Sequence, residues 1–247
     1  MKENIKKALR KAGSLFWRCC SRVYVCLRRS AGSLPAPQNL ESTGKKAVYL
    51  TFDDGPLPQT ARLLDTLKRY GACATFFVTG DRAPELITRM AAEGHCVGNH
   101  TFSHDYRAIY AGEEAFFESV EAMEAVIRER TGTGSRLLRF PGGSGNTVSR
   151  FNPGIMTRLT RELEARGMAW ADWNVDSGDK RPITAAEIFR NVCRGMDREE
   201  CPVVLQHMDV ANSVATVERI LIHGLEKGWV FLPMTEDMPF PRETPRN

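Results

Sequence analysis

From Lys46 onward, short apolar runs alternate with longer stretches whose hydrophobic positions recur every three to four residues. Val48–Phe52, Cys73–Gly80, Cys96–Gly98, Leu137–Phe140, Met168–Asp172, Val203–Gln206 and Trp229–Leu232 are short runs of this kind, and each predicts a buried strand. Between them the helical period predicts a helix over Thr60–Tyr70 with its apolar face at Leu63, Leu64 and Leu67, and another over Pro84–Glu93 that Gly94 ends. Further helices are expected over Glu113–Arg130, Pro153–Arg166, Ala185–Met196 and Ser213–Glu226. Strands separated by helices of this length imply right-handed crossovers and a parallel sheet. Seven or eight such units in about 200 residues favour closure into a barrel, with an open doubly wound sheet as the alternative. No internal repeat and no GxGxxG run is present, so a dinucleotide-binding fold has no support.

The first 34 residues follow a different pattern. Ile5, Leu9, Ala12, Phe16, Cys19, Val23 and Leu27 fall on one helical stripe, and Lys7, Arg10, Lys11, Arg18, Arg22, Arg28 and Arg29 fall opposite. Arg18 and Arg22 cut the apolar runs well short of the ~20 residues that a spanning helix needs. The segment therefore reads as a basic amphipathic helix suited to an anionic membrane surface through residues 1–30. A helix packed on the domain, or a degraded export signal, is the other reading. A linker over residues 35–45, a domain over 46–235 and a C-terminal tail over 236–247 complete the expected organisation.

Charge sharpens this division. The net charge is +4, yet residues 1–30 hold nine Lys or Arg against the single acidic Glu3, and the other 217 residues hold 25 basic and 29 acidic side chains. A slightly acidic body argues against a nucleic-acid surface. The seven cysteines, at 19, 20, 26, 73, 96, 193 and 201, form no CxxC pair, so neither a zinc knuckle nor a thiol-exchange motif is expected.

Barrel chemistry sits beyond the C-terminal ends of strands, and the unusual residues fall there. TFDDGP places Asp53 and Asp54 after the first strand. Successive strand side chains point to opposite faces, so both carboxylates reach one pocket only if the strand ends at this pair. NHTFSHD places His100 and His104 four apart, on one face if the stretch is helical. Two imidazoles and one carboxylate form a three-ligand set that leaves room for water and substrate on a catalytic metal. A divalent cation would also explain the adjacent aspartates, one as a ligand and its neighbour as a base. RFPGGSG puts Arg139 beside a glycine-rich turn, DWNVDSGD adds Asp172 and Asp179, and VVLQHMD ends a strand in His207, a candidate proton donor.

Together and in this order, TFDDGP, HTFSH, RFPGG, DSGD and LQH resemble the five motifs of the polysaccharide deacetylases, the NodB-homology domain of carbohydrate esterase family 4. The resemblance covers about residues 45–235, and RFPGGS is similar to the variant found in bacterial peptidoglycan deacetylases. It implies a distorted (β/α) barrel of about seven parallel strands. It also implies Asp53 as general base, Asp54, His100 and His104 as ligands of a divalent metal (Zn²⁺, with Co²⁺ as substitute), Arg139 holding Asp53, His207 as general acid and Asp179 setting its protonation. Pro141, Gly142, Trp173 and Leu205 are the implied substrate contacts. His95 and His223 match no motif position and are expected to be structural.

The implied activity is removal of N-acetyl groups from a glycan, peptidoglycan first, with chitin-like oligomers or O-acetyl xylan as alternatives. A non-catalytic carbohydrate binder is the reading from another class, and intact Asp53 and His207 argue against it. The expected location is the bacterial cell envelope, membrane-associated or extracytoplasmic. Oligomeric state is not legible. Two positions depart from the pattern: Gly142 stands where an aromatic residue is common, and Lys180 stands where a Trp often follows the motif aspartate.

Overall fold

The structure, a computed structural model, describes residues 46–80, 82–236 and 238–247. The amphipathic segment and the linker lie outside the described residues.

Eight strands and seven helices alternate among the described residues: β1 (Ala47–Gly55), α1 (Thr60–Tyr70), β2 (Thr75–Val78), α2 (Glu85–Ala92), β3 (Cys96–Asn99), α3 (Tyr106–Ile109), α4 (Glu113–Thr131), β4 (Leu137–Leu138), α5 (Ile155–Ala165), β5 (Ala169–Trp170), β6 (Val175–Asp176), α6 (Ala185–Arg198), β7 (Val203–His207), α7 (Ala211–Glu226) and β8 (Val230–Phe231). Every strand pairing is parallel. The sheet order is β5-β4-β3-β2-β1-β7-β6, a path of seven strands, with β8 pairing the first residues of β1. The sheet curls as a half-barrel. β5 and β6 are its two edges and do not pair with each other, although only Ala171–Asn174 separates them in sequence.

Local chemistry explains the helices. In α1 the predicted Leu63, Leu64 and Leu67 are buried against the sheet, and Gly71 ends the helix in the left-handed conformation, its N–H reaching the carbonyls of Leu67 and Lys68. A capping box starts α6: Thr184 Oγ1 accepts from Glu187 N–H, and the Glu187 carboxylate accepts from Thr184 N–H. One large core lies under β1 and β2, including Leu50, Phe52, Phe76 and Val78, with α1, α6 and α7 packed over it. A second core under β4 holds Phe116, Phe140, Leu159 and Trp170.

Three local expectations are corrected. β1 does not stop at the aspartate pair but runs to Gly55. Asp54 takes φ +64° and the register against β2 shifts between Phe52 and Gly55, so a left-handed residue, not a strand end, turns both carboxylates to one side. The histidine pair is not helical. His100 to Asp105 form a loop in which Thr101 also has φ +64°, and the next helix, α3, begins only at Tyr106 with Asp105 as its N-cap. Neither α3 nor β6 is anticipated, because four and two residues are too few to show a period.

The tail lies on the body, not away from it. Pro241 O accepts from Asp172 N–H, Glu243 N–H donates to Asp172 Oδ2, and Arg242 stacks over Trp170 at 3.9 Å. Among the described residues no helix is long and apolar enough to cross a membrane.

Candidate metal centre and catalytic cleft

The C-terminal strand ends open into a cleft of about 1140 Å³. Asp53, Asp54, His100, His104, Gly142, Asp179 and His207 all line it, so residues from five separate sequence motifs meet in one place.

The left-handed turn at Asp54 aims Oδ1 at two imidazoles, 3.5 Å from His100 Nε2 and 3.3 Å from His104 Nε2. These three ligand atoms lie within 4.8 Å of one another. His100 is 2% exposed and its Nδ1 contacts Arg139 O at 2.7 Å, which makes Nδ1 the donor and leaves the Nε2 lone pair facing Asp54. Burial, reinforced by His100, holds the His104 pKa below its ordinary value despite the pull of Asp54. Burial alone would raise the Asp54 pKa, but His100, His104 and Lys180 hold it far below the carboxylate range.

Asp54 Oδ1 is buried and has no hydrogen-bond partner. A buried carboxylate oxygen left without a hydrogen bond between two imidazole Nε2 atoms is costly unless a cation joins them. The donor set of one carboxylate and two imidazoles therefore fits a divalent metal and leaves further coordination positions open.

Asp53 is held differently. It ends the register between β1 and β7, directly opposite His207, and its Oδ1 accepts from Arg139 Nη1 at 2.9 Å. Arg139 has no exposed surface. Its Nε and Nη2 donate to Ala171 O and Asp172 O, and Nη1 also reaches Thr51 Oγ1 at 2.6 Å. The guanidinium thus ties β1 to the segment that follows β5 and satisfies two of its backbone carbonyls. Its plane lies 4.1 Å from the Phe77 ring centroid and 5.6 Å from that of Trp173.

Across the cleft, Asp179 grips His207 twice, with Oδ1 2.7 Å from Nδ1 and Oδ2 accepting the His207 N–H at 2.8 Å. Burial works to lower the His207 pKa, but the Asp179 bond and the charges of Asp53, Asp179 and Asp54 raise it. In turn Asp179, which burial alone would raise, is held below its ordinary value mainly by His207. With Nδ1 given to Asp179, Nε2 is the atom available to substrate.

The suggested substrate contacts divide. Gly142, Trp173 and Leu205 line the cleft. Pro141 is buried behind it, and its carbonyl accepts the Tyr110 hydroxyl. Gly142 and Gly143 adopt φ +79° and +83°, and Trp173 packs so closely on Gly143 that a Cβ there would sit 3.0 Å from the indole. The Gly143 and Ser144 amides are used within the fold, donating to Phe140 O and Asp172 Oδ1, whereas Gly142, at the wall, has left-handed backbone that glycine supplies at little cost. His95 and His223 lie elsewhere. His95 is buried with Nδ1 accepting from Ala74 N–H, and burial drops its pKa to about 4; His223 sits 3.4 Å from Asp197.

Three participants were not singled out from sequence. Thr51 shares the strand face of Asp53 two residues on, a signal that period-two alternation carries. Tyr106 packs at a tilt against His104 with ring centroids 5.0 Å apart and lines the cleft. Asp209, two residues beyond His207, binds Lys180, and nothing in the local pattern announces that contact.

One carboxylate facing two imidazoles, an adjacent aspartate bound to Arg139 and an Asp–His pair thus surround one half-barrel mouth, and comparisons with known proteins show the family that this fold belongs to. The sequence profile described as polysaccharide deacetylase matches residues 41–152. A Bacillus cereus peptidoglycan-N-acetylglucosamine deacetylase is 35% identical over 215 residues, 83% of this chain and 76% of the relative. The Bacillus subtilis peptidoglycan-N-acetylmuramic acid deacetylase PdaC is 36% identical over 201 residues, 76% of this chain and 41% of PdaC. Among solved structures, the catalytic domain of peptidoglycan N-acetylglucosamine deacetylase from Eubacterium rectale aligns with TM-score 0.81 at 44% identity, covering 83% of this chain and 95% of that one. The polysaccharide deacetylase Bc1974 from Bacillus cereus aligns with TM-score 0.71 at 34% identity, covering 80% and 96%. The chain belongs to the polysaccharide deacetylase family, metal-dependent hydrolases of carbohydrate N-acetyl groups.

Proposed function

We propose that the protein removes the acetyl group from N-acetylglucosamine residues of peptidoglycan, releasing acetate and leaving a free amine on the glycan. The observation that carries this reading is the position of Asp53: 3.9 Å from His100 Nε2, beside the ligand set yet committed to Arg139, and opposite the Asp179–His207 pair. The substrate follows from the relatives, which carry that activity in their names.

Asp54, His100 and His104 would hold the metal, with Zn²⁺ as the expected ion because the set is nitrogen-rich and small. When bound, a divalent ion supplies Lewis-acid polarisation of the acetamide carbonyl and acidifies water at the site. Asp53 accepts the proton of the attacking water, and Arg139, Thr51 and the β1–β7 register fix its carboxylate for that transfer. Gly142 admits the acetyl group against the wall, and Trp173 closes the side beyond Gly143. His207, kept protonated by Asp179, delivers a proton to the departing amine nitrogen as the carbon–nitrogen bond breaks. Action on peptidoglycan places the protein outside the cytoplasmic membrane, and the basic segment 1–30 would hold it near the anionic surface.

Acetate release tests the reading. Purified peptidoglycan should yield acetate with the full-length protein, chelation should abolish release, and Zn²⁺ or Co²⁺ should restore it. Faster release from hexa-N-acetylchitohexaose or acetylated xylan would move the substrate to those glycans, and release indifferent to chelation would overturn the metal-based chemistry.

A further inference from the structure

Lys180 stands in the cleft where the family pattern often has a tryptophan, and its contacts are specific. Its ammonium lies 2.8 Å from Asp54 Oδ2 and 2.8 Å from each carboxylate oxygen of Asp209. The two oxygens of Asp54 are therefore used for different purposes. Oδ2 is taken by a cation of the protein, while Oδ1, buried and without a hydrogen bond, faces His100 and His104.

We infer that Lys180 is a positioning residue that reserves Asp54 Oδ2, so that Asp54 offers the metal a single oxygen. This rests on the metal-centre reading above and adds to it a role for a residue outside the ligand set. A carboxylate binds a divalent ion through one oxygen or through both, and a catalytic site needs positions left for water and substrate. Partners of a ligand's second atom decide which mode it takes and tune the metal. Here Asp209 anchors the ammonium at 2.8 Å through both oxygens, and Lys180 follows directly on Asp179, whose carboxylate is locked to His207. The same loop that orients the proton donor thereby orients the metal ligand. A tryptophan at this position has a single N–H and no charge, so it would leave Oδ2 free to coordinate.

Cobalt substitution tests the assignment without any turnover. Co²⁺-loaded full-length wild type, Lys180→Met, Lys180→Arg and Asp209→Asn would be compared by visible absorption, which reports coordination number and geometry. Because Lys180 is half-exposed, its replacement leaves the buried core untouched. Lys180→Met should shift the d–d bands and lower their molar absorptivity about twofold as a second oxygen enters the coordination sphere. Lys180→Arg, which keeps a charged donor, should return the wild-type spectrum, and Asp209→Asn should give an intermediate one. An unchanged spectrum in Lys180→Met, with one cobalt bound, would show that the ammonium leaves Asp54 when metal arrives and would overturn the inference while leaving the metal centre standing. Wild type that binds no cobalt would overturn both.

Discussion

The two walls of the cleft are built by different means. On the metal wall, Asp54, His100 and His104 sit on a turn and a loop, and the backbone there adopts left-handed φ of +64° at both Asp54 and Thr101, neither of them glycine. On the acid–base wall, Asp53 and His207 are direct partners in the parallel ladder between β1 and β7, and Asp179 is tied to the backbone N–H as well as the ring of His207. Strand register therefore positions the proton-transfer groups. Locally strained backbone, held by the surrounding fold, positions the ligands. Strain of this kind is sustained by neighbours: Asn99 Oδ1 accepts from Thr101 N–H, and the Thr101 hydroxyl reaches the carbonyls of His100 and Ser103.

The largest effects should separate the walls cleanly. His100→Ala should abolish activity and weaken metal binding by more than about 100-fold, beyond the usual cost of losing an outer-shell partner. Asp53→Asn should lower kcat about 10³-fold, the scale of a lost general base, while the purified protein keeps its full metal content. Elemental analysis beside acetate release reads both. Metal loss in Asp53→Asn would mean that the two walls share a ligand and the division fails.

A smaller effect sharpens the acid wall. The His207 pKa is raised in the folded protein, so its protonated form persists to higher pH than a free imidazole. Asp179→Asn removes the principal cause of the rise, and the alkaline limb of kcat should move to lower pH, with kcat falling about 10- to 100-fold at neutral pH. The linkage has the matching sign: protonated His207 stabilises the fold at pH below its unfolded value and loses that contribution as pH rises through the raised folded value. A pH–rate profile unchanged in Asp179→Asn would remove His207 from the role of acid.

The smallest expected effect concerns backbone alone. Gly142 has φ +79° with its nearest Cβ contact at 3.4 Å, so Gly142→Ala meets strain without severe crowding. Thermal denaturation should show a loss of about 1 kcal/mol, the cost of a left-handed non-glycine residue, with metal content unchanged. A loss several times larger would show that this turn is coupled to Asp172 and the C-terminal segment as one unit.

Much of this was readable before the fold was known. Helix α1 spans the Thr60–Tyr70 stretch that the leucine period predicts, and the parallel order follows from strands and helices in alternation. Asp53, Asp54, His100, His104, Asp179 and His207, each singled out by its motif, do meet in one cleft, because motifs at strand ends keep their residues in a short stretch of chain. The helical reading of the histidine pair failed because spacing of four is shared by a helix and by a loop that folds back through a left-handed residue. The Lys180 contacts lay beyond reach for another reason: Lys180, Asp54 and Asp209 are far apart in sequence, and only the curl of the sheet brings them together.

The amino-acid order by itself indicated the alternation of elements, the parallel sheet and the candidate side chains that the fold gathers into one cleft. Those depend on local periodicity and on residue types that few other roles explain. Tertiary structure alone decided which oxygen of Asp54 faces the imidazoles, that a buried arginine ties β1 to the segment after β5, and that Pro141 stands behind the wall that Gly142 forms. These are matters of direction and distance between segments remote along the chain, and no one-dimensional pattern encodes them until the sheet has curled.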